Sequence, residues 1–161
     1  METLIAELVS WLEATSLHRT MQTVEWAVPA VQTVHILGIA AVFASSVALA
    51  LRTLRLAGTD WSPAQWGRRL DGWVGWGLLV LLFSGLLMIT GEPARSLNNI
   101  MFQTKMLLLI VAVGLFWALS RSVRRLDQLD RGAPGAVRLI ATMVVLVWLA
   151  IIICGRWIAY T

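Results

Sequence analysis

The chain has 161 residues, 58% of them hydrophobic and only 14% charged, with a mean hydropathy of +0.76. A soluble domain is nearer to one quarter charged, because a small globule has much surface to wet, so the composition excludes an ordinary soluble enzyme and describes an integral membrane protein. One cysteine, Cys154, excludes an intrachain disulfide, and two histidines cannot fill a structural zinc site.

Residues 2–15 place Leu4, Ile5, Leu8, Val9 and Leu12 at helical spacing, with Glu2, Glu7 and Glu13 among the polar positions. The segment is too short and too acidic to span, and it lacks the basic start and small-residue cleavage site of a signal peptide. It is expected to lie along one membrane surface. His18 and Met21 follow, three apart, and share a face if their segment is helical.

Four later stretches reach the roughly 20 apolar residues that a membrane helix needs: 28–51, 70–90, 100–120 and 136–160. Pro29 falls in the opening turn of the first, where its missing N–H is not needed. Thr90-Gly91-Glu92-Pro93 closes the second. The expected architecture is all-α: one membrane domain over 1–161, a four-helix bundle with an interfacial amphipathic helix over 1–20.

Orientation follows from the cations. Arg52, Arg55, Arg68, Arg69, Arg121, Arg124, Arg125, Arg131 and Arg138 fall on one side, and Arg19, Arg95, Lys105 and Arg156 on the other. Loops rich in Lys and Arg stay cytoplasmic, which puts both termini outside, in the periplasm of a bacterial inner membrane. Trp61, Trp66, Trp73, Trp76 and Trp117 mark the inner interface, Trp26 and Trp157 the outer one. The basic balance is thus a matter of topology and does not point to nucleic acid.

Ionisable groups inside a span are costly and mark functional sites by default. At 1.5 Å per residue, His35 lies roughly 10 Å below the outer end of span one and Lys105 about 8 Å into span three. Arg156 and Glu92 stand near the outer ends of spans four and two. Gln32 lies one turn before His35, and Gly38, Ala41, Ser45 and Ala48 form a stripe of small residues suited to close helix packing. Lys105 is the one lysine of the chain, placed where the helix dipole disfavours a cation; it is expected to pair with Glu92 or to hold an anionic ligand. Thioethers and imidazoles suit copper or haem iron, which makes His35, His18, Met21 and Met88 the candidate metal ligands. No phosphate loop, catalytic triad, HExxH or CxxC is present, and no enzymatic activity is read from the sequence.

The runs Trp26…Pro29-Ala30-Val31-Gln32-Thr33-Val34-His35-Ile36-Leu37-Gly38, Leu51-Arg52-Thr53-Leu54-Arg55-Leu56-Ala57-Gly58, Thr90-Gly91-Glu92-Pro93, Asn98-Asn99-Ile100-Met101-Phe102-Gln103-Thr104-Lys105-Met106 and Gly155-Arg156-Trp157-Ile158-Ala159-Tyr160 resemble an uncharacterised family of small bacterial inner-membrane proteins. That resemblance implies a fold without an activity. More loosely, Phe102-x-x-Lys105-Met106 with Thr90-Gly91 before it is similar to the membrane domain of the copper-resistance protein CopD, which implies copper handling.

Three functional readings follow. In the first, an electron-transfer or metal-handling protein binds haem b or copper at a site centred on His35. Gly38 makes room for the macrocycle, Lys105, Arg156 and Tyr160 serve the cofactor, and Gln32, Glu92 and Asn98 accompany them. A second axial histidine at matched depth is missing, so His18 folding back, Met88 or Met106 would have to serve. In the second, the chain is a non-catalytic subunit of a larger membrane complex or a homo-oligomer. In the third, the polar layer binds a quinone or another small anionic or lipidic ligand. The bilayer is the constant partner.

Overall fold

The computed structural model describes residues 2–58, 60–97, 99–128 and 133–157. Two short helices, α1 (Glu2–Glu13) and α2 (Ser16–Thr23), precede the long α3 (Ala27–Thr53) and α4 (Pro63–Gly91); a five-residue α5 (Pro93–Leu97) leads into α6 (Ile100–Gln128) and α7 (Gly135–Trp157). No strand occurs among the described residues. Four helices are long and apolar enough to cross a membrane, and they pack as a closed ring in the order α3, α4, α6, α7 and back to α3. The protein is an all-α, multi-pass membrane bundle.

Its packing suits a lipid solvent. Phe116, Leu49, Leu119, Val42, Val74 and Val144 fill the interior together with Trp148, which is 1% exposed. Ile36, Leu37, Phe83, Leu107, Ile110 and Ile153 point outward, and at most 33% of each spanning window is buried. In water such an exterior would aggregate; in hydrocarbon it is the expected one, and close packing takes over as the force between helices. That packing is tightest where α3 crosses α4. A Cβ added to Gly77 would stand 2.5 Å from Val42 Cγ2 and 3.6 Å from the Gly38 carbonyl oxygen, and one added to Gly38 would stand 3.1 Å from Leu81 Cδ2.

Helix ends extend past the apolar segments. Ser62 Oγ accepts the Gln65 N–H at 3.2 Å while the Gln65 side chain accepts the Ser62 N–H at 2.9 Å, and Pro63 opens the helix. This capping box starts α4 seven residues ahead of residue 70, where hydropathy alone begins the span. At the end of α3 the Leu56 N–H reaches the Leu51 carbonyl at 2.9 Å and the Arg55 N–H the Arg52 carbonyl at 3.1 Å, a Schellman closure that holds Arg55 at φ 61°.

At this arginine-rich end an ion pair joins α4 to α6. Asp71 accepts from Arg124 Nη1 at 2.5 Å and, through its other oxygen, from Ser120 Oγ at 2.8 Å. Asp71 lies just inside the second span and belongs to no candidate set drawn from the sequence. Its signal was there to read: one acid at a span's edge, with Ser120 and Arg124 four apart on one face of α6.

Candidate functional site

The opposite end of the bundle, which carries α1, α2 and α5, holds the candidate residues. His35 Nδ1 lies 2.8 Å from Ser84 Oγ. Ser84 spends its one hydroxyl hydrogen on the Val80 carbonyl, so toward His35 it accepts, and the ring's Nδ1–H donates. The imidazole is thereby fixed as the tautomer whose Nε2 carries a lone pair. Ser84 lies seven residues before Gly91, about 10 Å from the end of α4 by helical rise, which matches the depth of His35. Beside the ring stands Gly85, where an added Cβ would come within 3.6 Å of His35 Cε1.

Lys105 reaches the same level from α6. It is half-buried, and it makes no ion pair or hydrogen bond with any described residue. Pairing with Glu92, one of its two expected roles, is not what the structure contains. The Glu92 carboxylate takes the Arg95 guanidinium at 3.1 Å, both side chains about half exposed, because Pro93 starts α5 and swings Arg95 back over residue 92. The ionisable groups thus separate into an exposed rim and a deeper pair. Glu92, Arg95 and Arg156, the last exposed in the final turn of α7, form the rim; His35 and Lys105 form the pair.

A cavity of about 270 Å³ lies between rim and pair, lined among others by Met21, Gln32, Met88, Glu92, Arg95 and Phe102. Gln32 is three residues before His35, Met88 four after Ser84 and Phe102 three before Lys105, so the cavity sits about 5 Å, one helical turn, above the His35–Ser84–Lys105 level. Two expected metal ligands, Met21 and Met88, therefore share a wall. Met21 is buried, with its Sδ-methyl against Gly91.

His18 has a different task. Its Nδ1–H donates to the Thr90 carbonyl at 2.8 Å, and the Gln22 amide donates to the Gly91 carbonyl at 2.6 Å. Both carbonyls belong to the last turn of α4, where no intrahelical donor remains, so α2 serves as a side-chain cap on α4. Gly38 is closed over by Leu81 and Val80. Asn98 and Tyr160 lie outside the described residues. His18 is held at Thr90 and His35 at Ser84, points six residues apart along α4, about 9 Å by helical rise. No group of three or more His, Cys, Asp or Glu side chains able to hold a metal ion occurs among the described residues.

A model for a family of unknown function, DUF6644, matches residues 9–161. The chain belongs to that family. No curated protein and no solved structure matches it. The DUF6644 match starts inside α1 and takes in the capping helix α2, the His35–Ser84 pair and Lys105, so the whole candidate site falls within the family's domain. Sequence reasoning missed Ser84 and Gly85, whose signal is a hydroxyl and an adjoining gap at the depth already assigned to His35.

Proposed function

We propose that this DUF6644 protein binds a small amphiphile of the quinol class in its membrane, in the cavity above His35 and Lys105. Lys105 carries the reading: an ammonium inside a span, without a counter-charge among the described residues, holds its energetic cost in reserve for a ligand oxygen. His35 adds the complementary half. Its Nε2 accepts a hydrogen bond, so the fitting headgroup brings a hydroxyl for His35 and an oxygen acceptor for Lys105, as a quinol does. Met88, Phe102 and Val28 supply apolar walls. With the arginine-rich end cytoplasmic, the site opens to the periplasmic half of a bacterial inner membrane.

The test is titration of the detergent-purified protein with a short-chain ubiquinol, followed by tryptophan fluorescence. The reading expects saturable binding that weakens about tenfold or more in Lys105→Met, the loss of one charge-assisted hydrogen bond. Equal binding by both proteins, or none by either, refutes it.

One observation favours a second reading. A histidine that donates Nδ1–H to a protein oxygen and presents Nε2 has the arrangement typical of metal ligands, which keeps copper or a haem on His35 alone as an alternative for electron transfer or metal handling. A Soret band, or copper retained by the wild type and lost in His35→Ala, would replace the quinol reading with this one.

A further inference from the structure

The arginine-rich end has a cavity of its own, about 260 Å³, lined by Asp60, Trp61, Trp66, Arg69, Leu70 and Trp73. Local structure builds it. Gly58 sits at φ 67° with the Trp66 ring so close that a Cβ there would stand 3.2 Å from it, and Trp66 Nε1 donates to the Gly58 carbonyl at 3.2 Å. Arg52 Nε donates to the Trp61 carbonyl at 2.5 Å. The turn between α3 and α4 is therefore pinned at both ends, and Trp61 is laid beside Trp66 with ring centroids 6.4 Å apart.

Two charges face this cavity without using each other. Arg69 lies over the Trp61 ring, 5.1 Å from its centroid, and it has no carboxylate partner among the described residues; Asp60 makes no ion pair or hydrogen bond among them either. A cation and an anion that stay apart across one aromatic-walled space form a template for a zwitterion. The cavity lies at the mouth of a spanning helix, where Trp73, 65% exposed, and Trp61, 47% exposed, turn their indoles outward at the level where amphipathic rings meet headgroups.

We propose that this cavity binds the phosphoethanolamine headgroup of a phospholipid. The phosphate takes the Arg69 guanidinium, which suits its planar fork of donors. The ammonium, one two-carbon bridge away, takes the Asp60 carboxylate and the exposed indole of Trp73. A purely anionic headgroup satisfies Arg69 but meets Asp60 with the wrong sign, so the site discriminates between lipid classes where a simple basic patch would not. It is separate from the cavity at the His35 end: Trp73 and Met88, their nearest lining residues on α4, are about 22 Å apart along the helix.

The test is native mass spectrometry of the full chain released from micelles holding equal phosphatidylethanolamine and phosphatidylglycerol. Wild-type protein is expected to retain phosphatidylethanolamine preferentially, and Arg69→Gln and Asp60→Asn to lower that retention by about tenfold each, whereas Arg68→Gln, an exposed neighbour, leaves it unchanged. Asp60 lies in the turn, outside the packed interior, so Asp60→Asn keeps the test decisive if Arg69→Gln fails to fold. Equal retention of the two lipids, or a loss equally large in Arg68→Gln, overturns the proposal. Binding of free phosphoethanolamine as tight as that of the lipid would assign the cavity to a soluble zwitterion and overturn the lipid assignment.

Discussion

Gly77→Ala is the sharpest perturbation of the bundle. The new Cβ would stand 2.5 Å from Val42 Cγ2, whereas carbon atoms in contact rest about 3.5–4.0 Å apart, so α3 and α4 must part by about 1 Å or Val42 must rotate. Rotation is closed to it: Val42 is fully buried, and a β-branched residue in a helix has one strongly preferred rotamer. Overpacking of this kind costs about 1–3 kcal/mol. The same separation pulls His35 from Ser84, since Gly38 lies one turn from His35 and Ser84 two turns from Gly77. The assay is unfolding of the purified protein in mixed micelles with increasing SDS, for Gly77→Ala, Val42→Ala and the pair. Val42→Ala removes the colliding methyl, so the double variant should be more stable than the sum of the single losses predicts, with a coupling of about 1 kcal/mol or more. Additive losses, or wild-type stability in Gly77→Ala, would refute the close approach of the two helices.

Three further outcomes can be measured in the same assay. Asp71→Asn leaves Arg124 without its counter-charge; with the two side chains 17% and 31% exposed, the loss should be about 1–2 kcal/mol, between those of surface and buried pairs, and Asp71→Leu with Arg124→Leu should recover part of it. Trp148 Nε1 is buried with no partner among the described residues; Trp148→Phe should stay within about 1 kcal/mol of wild type, because relief of the unpaired N–H offsets the lost ring atoms, and a loss above about 3 kcal/mol would mean that the N–H is bonded. Arg55→Gly should raise stability by about 1 kcal/mol, since a side chain at φ 61° strains a position that glycine occupies freely; a decrease would show that the guanidinium holds something worth more than the strain.

The bundle was legible because hydropathy windows of spanning length and helix-breaking Gly and Pro both act locally. What hydropathy alone could not see was the helix that continues into polar sequence: the start of α4 at Pro63 rests on the Ser62–Gln65 capping box, and α6 runs past residue 120 carrying Arg121, Arg124 and Arg125. The depth arithmetic placed His35 and Lys105 at one level. It could not say that Glu92 would turn to Arg95, because that follows from the path of the chain after Pro93. Nor could it say that His18 would cap α4 instead of joining His35, a contact 72 residues distant in sequence. Gly38 shows the limit of reading a single helix: the gap it offers exists, and Leu81 of the neighbouring helix fills it.

The claim of a ligand site at the His35 end is tested most directly by the histidine ¹⁵N spectrum of the detergent-purified protein, recorded without and with a short-chain ubiquinol and repeated with Lys105→Met. The geometry predicts a His35 protonated on Nδ1, whose Nε2 resonance moves when the quinol is added and moves far less at the same quinol concentration when Lys105 is replaced. A His35 protonated on Nε2 at the outset, or a spectrum indifferent to the quinol in the wild-type protein, would contradict it.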